Sequence, residues 1–235
     1  MTVKNKYNVH MKKFLLSSAL ALSTLSFAQI DFSSTRFGVT AGGNYSRVKN
    51  AHNPSGARFA FQGGALALIP MGGANQFYLQ PEVTYYGAGE SGKDKDAKSA
   101  DGYNAVYANN YLSVPIYFKG YFSEAESEFF GMIGPRFNFL LSQNVKNVPA
   151  GRPYYDPDVT VPNYPQISGK ANSFNFAVGL GIGYSYKRQL ELALKYDFGV
   201  SNTYPNLIED FTKDPNTAKK KSEQVLSLSL SYIFD

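Results

Sequence analysis

The chain has 235 residues with no Cys and no Trp, 18 Tyr and 18 Phe, and a formal net charge of +5. Without cysteine there is no disulfide framework and no thiolate site. Charged residues make up only 17%, against roughly 25% in soluble domains, which speaks against a surface wholly in water.

Residues 11–30 read MKKFLLSSALALSTLSFAQI. Lys12 and Lys13 form a basic start, residues 14–25 a short apolar run, and Ser26 and Ala28 are small residues before a cut between Ala28 and Gln29. This pattern predicts a secretory signal peptide over 1–28, too short and wrongly flanked for a membrane anchor. Met11 is an alternative start, because residues 1–10 lengthen the basic region without need. Removal of 1–28 takes four of the 23 basic residues and none of the 18 acidic ones, leaving 19 against 18. The basic footprint that nucleic-acid binding requires is then lost.

No apolar run of 18 residues follows, so no membrane helix is expected. Eight segments with period-two alternation follow instead. The first, 36–48, sets Phe37, Val39, Ala41 and Tyr45 on one face. The second, 58–69, is apolar on both faces, so its phase is not readable. In the third, 76–87, Phe77, Leu79, Val83 and Tyr85 oppose Tyr78, Gln80, Glu82, Thr84 and Tyr86. In the fourth, 110–122, Leu112, Val114, Ile116 and Phe118 oppose Ser113, Tyr117 and Lys119. In the fifth, 128–142, Ile133, Phe137, Phe139 and Leu141 oppose Arg136, Asn138 and Ser142. The sixth, 174–186, alternates large residues with Asn175, Ala177, Gly179, Gly181, Gly183 and Ser185. In the seventh, 189–200, Leu190, Leu192, Leu194, Tyr196 and Phe198 oppose Glu191, Lys195 and Asp197. In the eighth, 224–234, Leu226, Leu228, Leu230, Tyr232 and Phe234 oppose three serines.

The links alternate in length: 70–75, 123–127 and 187–188 are short, and 49–57, 88–109, 143–172 and 201–223 are long. That is the habit of outer-membrane barrels, with short periplasmic turns and long outer loops. An even strand count then sets both termini in the periplasm. A strand of about 11 residues, tilted by about 40°, spans roughly 28 Å, enough for an apolar band of about 25 Å. Aromatics cluster at strand ends, with Phe77, Phe129, Tyr184, Tyr186, Tyr232 and Phe234 at the periplasmic rim. Tyr45, Tyr85, Phe174, Tyr196 and Phe198 mark the outer rim, as two interfacial girdles require. A lipocalin-like barrel or a soluble sandwich would show the same alternation. The polar faces here carry Gly, Ala, Ser, Asn and Tyr with scattered charges, rather than the Lys, Glu and Thr of a water-facing sheet. The expected fold is therefore all-β: one eight-stranded antiparallel up-and-down transmembrane β-barrel over residues 29–235.

The ordered segments LQPEVTYYGAGE, NYLSVPIYFKGYF, GPRFNFLLS, FAVGLGIGYSY, LALKYDFGVSN and LSLSLSYIF resemble the PorT-like outer-membrane β-barrel family of Bacteroidota from about Phe37 to Phe234. The resemblance implies an eight-stranded barrel behind a signal peptide. The founding member assists protein secretion across the outer membrane, whereas most relatives have no assigned activity. Pro81, Pro115 and Pro135 fall in three consecutive strands. Each lacks a ladder donor, and a closed barrel has no free edge to hide it on, so bulges or broken pairing are expected there.

The inward face carries Glu82, Lys119, Arg136, Glu191, Lys195 and Asp197, three acids and three bases. Eight strands leave an interior just wide enough for side chains to fill, and buried charges are costly unless paired. A neutral structural network is expected, with Lys119 set against Glu82; the functional alternative is a narrow conduit or binding cavity. The column Gly179, Gly181, Gly183 is expected to be filled by Tyr78, Tyr86, Tyr117 or Met132. The loop 143–172 holds five prolines and three tyrosines. It reads first as a cap resting on the mouth; the alternative is a partner or surface-ligand contact through Arg152, Tyr154, Tyr155 and Tyr164. Asp94, Asp96 and Asp101 fail the calcium-loop spacing, and Lys219, Lys220 and Lys221 suit anionic headgroups. His52 stands alone in a loop, so no catalytic set, metal or other cofactor is expected.

Three functions follow. The first is a non-enzymatic barrel supporting the envelope, secretion or a surface complex through its outer loops. The second is a small-solute binder or narrow conduit, and the third a membrane-embedded hydrolase or acyltransferase. Expected partners are outer-membrane lipid and lipopolysaccharide, the barrel assembly machinery during insertion, and envelope or secretion-complex proteins, with no nucleic acid.

Overall fold

The structure is a computed structural model that describes residues 32–72, 76–92, 104–160, 162, 165–207 and 219–234. The signal segment and its Ala28–Gln29 cut, Asp94, Asp96 and Asp101, and Tyr164 lie outside the described residues. The strands are β1 (Arg36–Val48), β2 (Gly56–Pro70), β3 (Phe77–Ser91), β4 (Val106–Tyr121), β5 (Glu128–Lys146), β6 (Phe174–Tyr186), β7 (Leu190–Gly199) and β8 (Glu223–Ile233). Each pairs antiparallel with the next, and β8 pairs with β1, closing the barrel. Closure leaves no edge strand and so no row of unpaired backbone groups.

Period two decides the two surfaces. Leu190, Leu192 and Leu194 of β7 and Leu226, Leu228 and Leu230 of β8 point outward and are exposed, whereas Glu191, Lys195, Ser227 and Ser229 between them are buried. The exposed side of the wall is thus apolar and the inside polar, the reverse of a water-soluble barrel. In β2, Phe59 and Phe61 point out while Leu66 and Leu68 are buried. Leu66 and Leu68 belong to an apolar interior cluster with Tyr78, Tyr121, Phe130 and Ile233. Apolar residues on both faces are what hid this strand's phase in the sequence.

Strands β3, β4 and β5 continue past the barrel at the long-loop end, through pairs such as Ala88↔Asn109 and Tyr107↔Val145. Every residue from Tyr86 to Glu90 is buried there, because loops cover the second face. With both faces covered, alternation disappears, and the sequence reading ended β3 short at 87 and began β4 late at 110.

The prolines open the ladder without shifting it. Pro81 lies where β2–β3 pairing lapses between Leu66↔Glu82 and Ile69↔Leu79. Pro115 lies in the β3–β4 lapse between Pro81↔Ile116 and Thr84↔Ser113. Pro135 lies in the β4–β5 lapse between Pro115↔Arg136 and Phe118↔Ile133. Each proline remains paired on its other side, Pro135 with Val178 for example. The missing N–H therefore interrupts one neighbour only, and inward and outward faces keep their phase. Register shifts occur elsewhere, between Ala57 and Gln62 and at Asn110–Tyr111.

The β6–β7 connection is the three-residue link 187–189, closed by the Gln189 amide donating to the Tyr186 carbonyl at 3.1 Å, in which Lys187 and Arg188 have φ of 52° and 55°. Positive φ at both central positions marks the tight hairpin turn that matches strand twist. Its strain is offset by contacts to the next turn, as Arg188 donates to the Ser123 and Ala125 carbonyls at 2.9 Å and stacks 3.6 Å from the Tyr121 ring. β1 begins and β8 ends at this short-turn end, where Arg36 donates to the Arg188 carbonyl and the Phe234 amide to that of Phe37.

Candidate functional site

The six interior charges are all buried and form three ion pairs at different heights. Nearest the turns, Lys119 pairs with Glu191, whose second oxygen accepts from the Tyr121 hydroxyl at 2.5 Å. The same ammonium sits 4.1 Å from the Phe130 ring centroid. Lys195 reaches both Glu82 oxygens at 2.9 and 3.2 Å, and Gln80 donates to one of them at 2.8 Å. Higher still, Arg136 Nε stands 3.1 Å from Asp197 Oδ1. The guanidinium also donates to Ser113 at 2.9 Å and to Tyr117 at 2.7 Å, while Tyr86 donates to Asp197 at 2.8 Å.

Glu82 is therefore not the partner of Lys119, and the reason is height. Lys119 is level with Tyr78 across β3–β4, and Glu82 lies four residues further up, about 13 Å along the strand. Glu191 opens β7 at the turn end. Alternation reports a side chain's face, and pairing needs the register as well.

The glycine column is filled. A Cβ on Gly179 would lie 2.9 Å from Tyr117, and one on Gly181 would lie 2.9 Å from Met132. One on Gly183 would strike the Phe130 ring and the Leu192 carbonyl. Tyr117 and Met132 were among the expected fillers. Tyr86 goes instead to Asp197, and Tyr78 packs edge-on against Tyr121. Phe130 was missed, although Phe129 facing outward already implies that Phe130 faces inward.

The long-loop end carries a second core that alternation could not show. His52 is buried there, stacked on Tyr107 with centroids 3.5 Å apart, and Tyr155 and Tyr204 meet it edge-on at 4.6 and 5.1 Å. Its Nδ1 lies 2.5 Å from Glu90 Oε1, and Ser55 donates to Glu90 Oε2 at 2.5 Å. Burial is the main influence on His52 and pushes its pKa below the usual 6.5, against the Glu90 hydrogen bond and charge; Lys221 and Arg152 add to the lowering. The imidazole is thus neutral at pH 7. Ser55 and His52 both engage Glu90, and among the described residues Nε2 has no hydrogen-bond partner, so none of the described serines stands on the imidazole as a nucleophile would.

His52 is therefore not alone, and Tyr154 and Tyr155 of loop 143–172 are not outer contact area. Tyr154 and Tyr155 are 3% and 1% exposed and pack with Val48, Tyr107, Ile167 and Leu207. They are the underside of a cap. Lys221 likewise is buried, donating to the Lys219 carbonyl, so only Lys219 and Lys220 remain exposed from that triplet. Arg152 bonds the Asn53 carbonyl and the Tyr155 hydroxyl.

Beside the cap runs a groove of about 1190 Å³ lined by Arg47, Lys49, Arg152, Tyr45, Tyr155 and Tyr196, with no Asp or Glu lining it among the described residues. Three cations without a carboxylate among them make a positive concavity at the apolar wall's upper edge.

The profile of the family described as outer membrane protein beta-barrel domain matches residues 27–204. No curated protein matches the chain. Among solved structures it is similar to Ail, the attachment invasion locus protein of Yersinia pestis, at 10% identity over 85% of this chain and 98% of that one, TM-score 0.40. Neisserial surface protein A matches at 12% identity over 84% and 97%, TM-score 0.40. A major outer membrane protein from Thermus thermophilus matches at 14% identity over 86% and 100%, TM-score 0.43.

Proposed function

The chain belongs to the outer membrane protein beta-barrel domain family and is an outer-membrane protein, and we propose that it serves there as a non-enzymatic, closed barrel that engages other envelope components through its loop end. The observation that carries this reading is the filled interior: three ion pairs and the Tyr117, Met132 and Phe130 side chains occupy the space a conduit would need. Function then moves to the surface, where loops are free to vary on a rigid scaffold.

In this reading the signal peptide 1–28 is removed between Ala28 and Gln29, and the short turns and both termini face the periplasm. The mouth then faces outward. The Arg47, Lys49 and Arg152 groove meets phosphate-bearing lipopolysaccharide headgroups or an acidic surface of an envelope protein, with Lys219 and Lys220 beside it. Barrel assembly machinery handles the chain during insertion. The ordered segments shared with the PorT-like family of Bacteroidota make a secretion complex the first partner to test.

Crosslinking in intact cells from a photoreactive residue at Lys49 should capture a defined envelope component, and Arg47→Glu with Lys49→Glu should abolish the capture. Reconstituted in planar bilayers, the barrel should show no unitary conductance. Stable conductance steps would overturn the closed-barrel reading and favour a conduit.

A further inference from the structure

The upper lumen contains a small cavity of about 10 Å³, bordered by Tyr86, Asn138, Asn175, Asp197, Thr203 and Glu223. That is room for about one water-sized particle. Three side-chain oxygens of these residues are buried without a partner: Asn138 Oδ1, Asn175 Oδ1 and Glu223 Oε1, while Asp197 Oδ1 is held by Arg136 Nε at 3.1 Å. All three are acceptors. The Asn175 amide is oriented by its own contacts, since its Nδ2 donates to the Asn172 carbonyl at 3.3 Å and to Tyr111 at 3.4 Å. Asn138 is its direct cross-strand partner, so the two carbonyl groups come from adjacent strands at one height.

Charge points the same way. Glu82, Glu191 and Asp197 each have a lysine or arginine partner, and Glu90 is held by His52 and Ser55. Glu223 is 6% exposed and has no ion pair among the described residues. Tyr111, Asn109 and the Gly89 amide hydrogen-bond the Glu223 carboxyl, but no cation pairs with it directly among the described residues, and a buried carboxylate without a counter-charge at contact is costly. A water molecule brings two protons, too few for three acceptors, and leaves the Glu223 charge without a counter-charge. A hard cation satisfies oxygen ligands and balances the charge together. With a single unpaired carboxylate, a divalent ion would overshoot, and magnesium demands a near-ideal octahedron.

We propose that the Asn138–Asn175–Glu223 cavity is a structural site for one monovalent metal cation of sodium size, which ties β5, β6 and β8 together beneath the loop cap. Neither carbonyl-bearing asparagine belongs to the residue types by which metal sites are ordinarily recognised, and among the described residues no group of three or more His, Cys, Asp and Glu side chains gathers as a metal set.

The test uses the full purified barrel in detergent at pH 8, melted in sodium chloride and in choline chloride at equal ionic strength. Sodium should raise the melting midpoint by about 3–6 °C per tenfold concentration once the site fills, as expected for a ligand bound only by the folded state. Glu223→Gln, which removes the charge and keeps the shape, should abolish that dependence. If that variant does not fold, Asn138→Ala should weaken the sodium dependence at least tenfold in concentration. Equal melting in sodium and choline would mean that the carboxyl carries a proton or the cavity a water, and would overturn the proposal. Undiminished sodium dependence in Glu223→Gln would overturn it too, by placing the ion elsewhere.

Discussion

The middle of the lumen and its mouth are both buried, polar and rich in tyrosine, yet they are held by different means. In the middle, charges come from strands and find partners across the barrel: Lys119 with Glu191, Lys195 with Glu82, Arg136 with Asp197. At the mouth, one carboxylate, Glu90, is held by His52 and Ser55 of a loop, and the imidazole is clamped by Tyr107, Tyr155 and Tyr204. The wall positions the first set, so each member is only as mobile as a strand. The second set depends on five separate segments folding against each other. The comparison teaches that the barrel should tolerate damage to its mouth, and that damage to the middle should reach the whole fold.

The largest effect should come from orphaning a mid-lumen charge. Lys119→Met leaves Glu191 buried with only the Tyr121 hydroxyl and should cost about 3–5 kcal/mol in urea unfolding from lipid vesicles. Adding Glu191→Gln should recover much of that loss. Adding Glu82→Gln instead should deepen it, because Glu82 belongs to Lys195; the opposite pattern would break the pairing assigned here.

Next comes the outer wall. Leu192 is half exposed on the apolar outer face, and Leu192→Arg should cost about 2–4 kcal/mol if it sits near the bilayer midplane. Loss of the heat-modifiable band on a detergent gel would report failed assembly, and normal assembly would place Leu192 away from lipid.

At the mouth, His52→Phe keeps a ring between the tyrosines and removes the donor to Glu90. The expected cost is about 1–3 kcal/mol, seen as faster protease cleavage of the loops with the barrel still intact. The sign of the pH effect follows from burial. With its folded pKa below 6.5, His52 takes up a proton more readily when released, so the mouth is fully stable above about pH 6.5 and loosens as pH falls below it. Glu90, Lys221 and Arg152 all face the imidazole, so hydrogen exchange of the loops against pH should be compared with His52→Phe, in which this component should vanish.

The smallest effects belong to the glycine column. Gly181→Ala meets the flexible Met132 side chain and should cost about 1 kcal/mol or less. Gly179→Ala meets both the Asp197 carboxylate and the Tyr117 ring, groups tied to Arg136, and should cost about 1–3 kcal/mol. Equal costs would mean that the groups tied to Arg136 yield as easily as the flexible Met132 side chain.

Much of the wall was legible in advance. Eight strands, their short and long links, and the inward or outward sense of seven of them follow from a period of two, because each side chain's face depends on its own position alone. The three ladder lapses followed from proline chemistry in the same local way. What the amino-acid pattern could not carry was everything set by distance along one strand relative to another. Lys119 and Glu82 share a face but not a height. Tyr155 reads as a contact residue in a proline-rich loop, and only the packing of that loop onto His52 turns it inward. The asparagine oxygens beside Glu223 are unremarkable in sequence, since Asn138 and Asn175 come together only through the register of β5 and β6. By itself the sequence determined the barrel, its strand count and which face is apolar, because those are properties of single strands. Pairing of charges, the filled lumen and the closed mouth were decided by the tertiary structure, because each depends on where independent segments meet.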